Sequence, residues 1–554
     1  MHGPLLPVLL LLILPGLFFA ARLGLMRRSA VRAGALALAA CALLVSLPRE
    51  GLDFVYLKRM NLFLAAAAIV LVVLRHYGGG LALSPGRYLV ALATLAAASL
   101  TVYLNFFSFH GERTWVHLHD VAHYYLGSKY FDELGYENLY TAMLRAEAEL
   151  YAGRYSTTEA RDLLTNDLAP IHLLLVRSNE VKAAFTPQRW EEWKRDVALF
   201  REWLGPQFGK VYADHGFNPT PLWPLLGGRL ARLVPAGSRT GVLLLTLLDP
   251  LLLLAAFAAV VWAFGWPAAL LGVIEFCLVF GASFGWAGGA FLRYVWFSAM
   301  VAAVCFLQRG RFAAAGALMA VAAVLRVFPA FFAIPLLLQA LSSLWRERRL
   351  PREHARFFAA LGATGLVLLL ATGAQARGFG AWGEFRRNMS KHMDTISPNV
   401  VGLTPALAYH ETPPLLTLEE MREEQQQRAR VNHIQLATLF VGTLLAVALL
   451  ARGQEPAEAI LLAVPLLLTG LNLASYYYVF LVLMAIVWWD RPWRLTALFG
   501  LELVTHALLL FEDREHFIYM YRSLMLLFVL LAIYLDPLRD ALRDLRGRLT
   551  ARTA

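Results

Sequence analysis

The stretch Val242–Phe264, VLLLTLLDPLLLLAAFAAVVWAF, decides what kind of protein this is. A helix needs roughly 20 predominantly apolar residues to cross about 30 Å of hydrocarbon. This run meets that length, and Leu89–Phe107, Phe357–Ala371 and Leu524–Leu535 with their flanks read the same way. Over 554 residues the chain is 59% hydrophobic and 16% charged, with a mean hydropathy of +0.56. A chain this long needs far more polar surface to fold in water. The fold class is therefore an all-α polytopic membrane protein.

Hydropathy places candidate spans at 4–21, 34–48, 61–75, 87–108, 241–263, 266–283, 291–308, 311–326, 328–345, 356–373, 434–451, 456–471, 475–489, 495–511 and 518–535. Met1–Ala20 has no basic n-region and more apolar segments follow, so it reads as a first span rather than a signal peptide. Ala313–Leu344 divides somewhere around Pro329 and Pro335. Arginine-rich segments flank the spans at Arg22–Arg32, Arg309–Arg311, Arg346–Arg356, Arg491–Arg494 and Arg539–Arg552. The positive-inside rule puts most of them in the cytoplasm. Two long polar segments, Ser108–Arg239 and Gln375–Asn432, and the short Glu512–His516 then face outward. The chain so divides into N-terminal membrane helices (1–108), an outer loop (109–240), central membrane helices (241–373), a second outer loop (374–433), and C-terminal membrane helices with a basic tail (434–554).

The net charge of +11 would suggest nucleic acid in a soluble protein. In this setting it suits anionic head groups and phosphates, and no nucleic-acid partner is expected. The basic residues are nearly all Arg, which with the many Ala, Leu and Gly matches a GC-rich bacterial genome and a bacterial inner membrane. Cys41, Cys277 and Cys305 each lie in apolar runs and form no disulfide or zinc spacing. In the first outer loop Trp190, Trp193, Phe200, Trp203 and Phe208 recur near helical spacing. They fit amphipathic helices on the membrane surface, or equally a helical loop packed on itself. Met421–Arg430 is a charged helical extension, and no internal repeat supports an inverted-repeat transporter.

Chemistry concentrates in five patches. His117–Tyr140, HLHDVAHYYLGSKYFDELGYENLY, puts Asp120 at the water–lipid boundary just after a span. A carboxylate there can take a proton from a hydroxyl, a role worth roughly 10²–10⁴-fold in rate, or it can cap a helix. His117, His119 and His123 have spacings that converge on a metal, or are hydrogen-bonded surface groups. Gly216–Pro224, GFNPTPLWP, is too proline-rich for a helix interior and forms a rigid loop or a helix-start turn. Phe284–Tyr294 combines close-packing glycines with Arg293, a phosphate contact or a snorkelling side chain. Leu325–Pro329, LRVFP, holds Arg326 deep in an apolar run, facing a cavity or snorkelling. Arg386–Leu403 gathers Arg386, Arg387, Lys391 and His392 on the same outer face, for a phosphate leaving group or lipid head groups.

Taken in order, these patches resemble the polyprenol-phosphate-mannose-dependent mannosyltransferases of glycosyltransferase family 87, within the GT-C class. The resemblance runs from about Thr101 to Leu483. It is carried by Asp120 with its tyrosines and Leu139–Tyr140, by Asn218–Pro221, and by GGAFLRYVWFSAMVAAVCFLQRGRFAAAGALMAVAAVLRVFPA at Gly288–Ala330. SPNVVGL at Ser397–Leu403 and ASYYYVFLVL at Ala474–Leu483 complete it. The chain departs from the family at Phe217–Asn218, where a tyrosine and two prolines are usual, and at Gly288–Gly289 and Arg293, where Gly-Gln and Asn are usual. Arg326 stands for a usual Lys.

The resemblance implies a GT-C-like helix bundle that transfers a hexose, mannose by preference, from a polyprenyl-phosphate donor to a glycan, glycolipid or protein acceptor. Inversion at the anomeric carbon and Asp120 as general base come with it. Charge and predicted side nominate Arg293, Arg326, Lys391 and His392 for phosphate contacts. His119, His123, Tyr124, Lys129, Tyr140, Asn218, Arg387, Asn399 and Tyr477 complete the expected substrate-binding set. No cofactor is required; a divalent metal, if used, has His117, His119 and His123 as candidate ligands. An arabinofuranosyl transferase of the same class, or a transporter of lipid-linked sugars, are the rival readings.

Overall fold

A computed structural model describes residues 54–78, 81–110, 114–393, 399–408, 418–510, 512 and 514–553. The expected spans at 4–21 and 34–48, Arg22–Arg32, Cys41 and Ser397–Pro398 lie outside the described residues. Among those described, 7 helices are long and apolar enough to cross a membrane: Leu57–Tyr77, Pro85–Tyr103, Arg239–Phe264, Phe328–Glu347, Arg352–Gly373, His433–Gly453 and Glu515–Arg546. The protein is a membrane-embedded, almost wholly helical chain.

In chain order the membrane elements begin with α1 (Phe54–Tyr77) and α2 (Pro85–Tyr103). Ser84 caps α2 by accepting from Arg87 N–H, and Pro85 occupies the first turn, where no donor is needed. The outer lobe then supplies α3 (Leu118–Lys129), α4 (Leu139–Leu150), the hairpin β1 (Glu159–Asp162) and β2 (Asp167–Pro170), and α5 (Pro187–Leu204). The chain returns through α6 (Leu248–Phe264), α7 (Trp266–Leu278), α8 (Val295–Gln308), α9 (Phe312–Arg326), α10 (Ile334–Glu347) and α11 (Arg352–Gly373). After α12 (Gly380–Met393) and β3 (Val400–Val401) come α13 (His433–Leu450), β4 (Leu473–Ala474), α14 (Pro492–Leu508) and α15 (Glu515–Thr553). The apolar run around Pro329 divides at Val327, whose φ of 56° ends α9.

The long helices face outward, with Leu254, Val367, Leu445 and Phe528 exposed along them. The interior is made instead of short apolar segments. Nearly all of α8 is buried, as are Ile460–Leu468 and Tyr478–Ile486 with few breaks. Cys277 and Cys305 are buried in the same way, as small hydrophobes. A long helix touching lipid can be apolar all round, whereas short inner helices need neighbours on every side to cover their ends. One buried ion pair crosses the bundle: Arg522 of α15 grips Glu502 of α14 through two bonds of 2.7 and 3.0 Å.

The lobe packs on itself, the second of the two alternatives its aromatic spacing allowed. Trp190, Trp193, Phe200 and Phe208 are buried in its own core. Two buried carboxylates staple it. Asp196 receives the Lys129 ammonium at 2.9 Å, the Tyr130 hydroxyl at 2.8 Å and Gly237 N–H at 2.7 Å. Glu147 receives Arg201 at 3.1 Å, Tyr212 O–H at 2.8 Å and Ser156 O–H at 2.5 Å. Fully partnered charges of this kind are tolerated in a core; single ones are not.

Candidate functional site

The first residue of the site is Asp120, in the opening turn of α3. His117 caps that helix, its Nδ1 accepting from Asp120 N–H at 3.2 Å. Asp120 is thus not the cap, and its carboxylate is free for other work. Burial pushes the His117 imidazole down to about 4, so it stays neutral and serves as an acceptor.

The partner of Asp120 arrives from 173 positions later. Arg293 Nη2 donates to Asp120 Oδ1, while Oδ2 is buried and receives no hydrogen bond. Three features aim the arginine. Gly289 sits at a φ of 70°, and a Cβ there would lie 1.6 Å from Trp115 O, so only glycine lets the two backbones meet. His117 N–H then donates to Gly289 O at 2.9 Å. Beneath the loop, Asp249 accepts Arg293 N–H at 2.9 Å and Tyr294 N–H at 3.1 Å, one on each oxygen.

A second guanidinium closes the group. Arg326 is the last residue of α9, and its Nη2 donates to the Tyr124 hydroxyl at 3.1 Å. Tyr124 follows Asp120 by one helical turn, so both project from one face of α3. Arg326 lies 5.7 Å from the Tyr477 ring centre, and Arg293 lies 4.9 Å from that of Tyr476. Such placements over aromatic faces hold a cation without neutralising it. Asn399 anchors this tyrosine segment through its carbonyl, which accepts Ser475 N–H at 2.8 Å beside the β3–β4 pairing.

Five expected residues therefore meet: Asp120, Tyr124, Arg293, Arg326 and Tyr477. Asp249 and Tyr476 were missed in the sequence. Asp249 lies inside the run Val242–Phe264 that reads as one span, and Tyr476 looks like one more aromatic in an apolar run.

The remaining candidates form a second polar cluster. His119 Nε2 lies 3.1 Å from Asp214 Oδ2, and His123 Nδ1 lies 3.9 Å from the same oxygen. Burial raises the Asp214 carboxyl, but the bond to His119 and the field of His123 outweigh it and hold the group well below the usual range. The Tyr140 hydroxyl sits 2.8 Å from His123 Nε2 and accepts Gly216 N–H at 3.0 Å. Asn218 accepts from Asn388 and meets His392 Nε2, both at 2.8 Å. Burial pushes His392 down to about 4, which favours the neutral imidazole over the cation expected to face a phosphate.

Three further charges expected to bind substrate have surroundings of their own. Lys129 is sealed against Asp196, roughly two and a half helical turns from Asp120, and holds the lobe together. Lys391 donates to Leu163 O at 2.6 Å and lies 3.5 Å from Glu137, bridging α12 to the lobe. Arg387 is exposed and lies outside the Asp120 group.

For a metal, the histidine trio also separates. His119, His123 and Asp214 offer donor atoms within 4.8 Å of one another, while His117 is spent on the α3 cap. An ion there would have to displace the 2.7 Å contact between His123 Nδ1 and His119 O. No protein-family model, curated protein or solved structure matches the chain.

Proposed function

We propose that this chain is a membrane glycosyltransferase of GT-C type, similar to glycosyltransferase family 87, using a polyprenyl-phosphate-linked hexose and by preference mannose. The observation that carries the reading is one carboxylate, Asp120, paired with Arg293, while a second guanidinium, Arg326, bonds Tyr124 one helical turn along the same helix, with Tyr476 and Tyr477 beside the two arginines. Inverting transfer needs these parts. An acceptor hydroxyl attacks the anomeric carbon and passes its proton to the Asp120 carboxylate. The bond from that carbon to the donor phosphate breaks, and the electron pair leaves on polyprenyl phosphate. Arg293 and Arg326 stabilise the departing charge with planar, paired donors. The tyrosine faces of Tyr476 and Tyr477 suit a sugar or prenyl unit between the arginines.

The Arg293–Asp120 contact gives the reaction an order. While Arg293 holds Asp120, the carboxylate is a poor acceptor for a proton. A donor phosphate competes for the guanidinium and leaves the buried Oδ2 facing the acceptor. In this reading the donor binds before the acceptor, and the outer face is the periplasmic one.

The test is transfer of labelled sugar from polyprenyl-phosphate-mannose by purified protein in proteoliposomes, wild type against Asp120→Asn. Turnover lost only in the variant supports the reading. If wild type neither binds nor turns over polyprenyl-phosphate hexoses or pentoses, the reading fails. Movement of the lipid-linked sugar across the bilayer without transfer would favour a transporter.

A further inference from the structure

Helix α10 starts beside Phe328, which packs at 5.0 Å on Tyr477 of the site. Over 14 residues it runs roughly 20 Å away from that point, at about 1.5 Å per residue. At its far end α10 and α13 leave a groove of about 500 Å³ between them. The walls are apolar: Leu338, Leu341, Leu344 and Ala448. The mouth is cationic: Arg346, Arg348 and Arg452, and no acidic residue lines the cavity.

The mouth is held in shape from beneath. Gln339, buried on α10, donates to Ala451 O at 2.6 Å and to Gln454 O at 2.8 Å, one on each side of Arg452. His354 Nε2 of α11 meets the Gln339 side-chain oxygen at 3.1 Å. Arg348 takes a left-handed backbone at the helix end, with its guanidinium 5.9 Å from the exposed Trp345 ring. The Gln339 contacts thus hold the backbone on both sides of Arg452, and the Trp345 ring places Arg348.

We infer that this groove binds an anionic phospholipid of the surrounding membrane, with its phosphate among Arg346, Arg348 and Arg452 and an acyl chain along the leucines. Charge complementarity selects this occupant. Guanidiniums pair with phosphate oxygens, and basic pockets between membrane helices hold acidic head groups. A free phosphate would leave the apolar walls unused. A second copy would bring the same arginines against these. The inference does not depend on the proposed catalytic activity.

The experiment uses delipidated full-length protein in detergent. It is titrated with phosphatidylglycerol or phosphatidylcholine of matched chains, and bound lipid is counted by native mass spectrometry. Each arginine near a phosphate adds about a five-fold preference, so three give on the order of a hundredfold for phosphatidylglycerol. The triple change Arg346→Gln, Arg348→Gln, Arg452→Gln should bring the two lipids to near parity, and the triple change to Lys should keep most of the preference. Ala448→Trp, which fills the trough, should lower retention of both. Melting without lipid checks that each variant is folded. Equal retention of both lipids by wild type overturns the inference, as does a preference that survives the triple Gln change. So do full displacement by millimolar inorganic phosphate, or self-association that Ala448→Trp abolishes.

Discussion

Replacing Asp120 by Asn separates the two things its carboxylate does. The amide keeps the size of the side chain and an oxygen that can still accept from Arg293 Nη2, so α3 and its His117 cap stay in place. What disappears is the charge. In the general-base role proposed for it, Asp120 would be worth roughly 10²–10⁴ in rate, about 3–5 kcal/mol of barrier. As counter-ion, it balances a guanidinium whose side chain is only 12% exposed, against 11% for its own. Removing one member of a buried pair costs about 3–5 kcal/mol, and the retained hydrogen bond brings the expected loss here to about 1–3 kcal/mol. Arg293→Gln in the same chain removes the orphaned charge, so the double variant should recover stability while transfer stays lost. The assay is paired: melting of purified protein in detergent, and sugar transfer in proteoliposomes. Transfer within three-fold of wild type in Asp120→Asn would refute the base assignment. A double variant no more stable than the sum of the single changes would refute the pairing.

Asp196→Asn should destabilise the outer lobe by about 3–5 kcal/mol, because it leaves the buried Lys129 ammonium without its counter-ion; limited proteolysis and melting report it, and an unchanged midpoint would contradict the staple. Gly289→Ala should cost more than ten-fold in transfer or block folding, since its Cβ would strike Trp115 O, whereas Gly285→Ala has open space and should be silent in both assays. Burial lowers His117 and His392 to about 4, so the unfolded chain binds more protons between about pH 4 and 6.5. Stability should therefore fall as pH drops through that window, by about 2 kcal/mol for each histidine. Changing both to Asn, which preserves a cap at 117, should flatten the curve; the same slope in the variant would assign it elsewhere.

Seven of the expected spans were legible because lipid imposes a simple length and composition rule on each segment alone, whereas those expected at 266–283, 291–308, 311–326, 456–471, 475–489 and 495–511 are shorter helices whose apolar faces meet protein neighbours. Arg293 and Arg326 were legible for the same reason, since a charge beside an apolar run demands a partner. The partner of Arg293 was not spelled out, because Asp120 and Arg293 meet only through a loop pairing at Gly289. The partner of Lys129 was not legible, because Asp196 lies far along the chain. The aromatic loop gave two equal answers because its spacing suits any amphipathic helix, and what covers the apolar face is decided by neighbours outside that helix. Asp214 carried no signal in YADHGF, an ordinary loop acid until His119 is set beside it.

The distance in sequence between Asp120 and Arg293 also sets a schedule for biogenesis. The outer lobe has its own core and its own internal ion pairs, all within residues emerging before α6. It can close as soon as those residues have emerged, with Asp120 in place but unmatched. The arginine arrives only after α6 and α7 have been inserted, and the Asp249 anchor comes with them. A chain halted before residue 293 would thus present the lobe with a bare carboxylate, and the site fills in stages as Arg293, then Arg326, then Tyr476 and Tyr477 emerge.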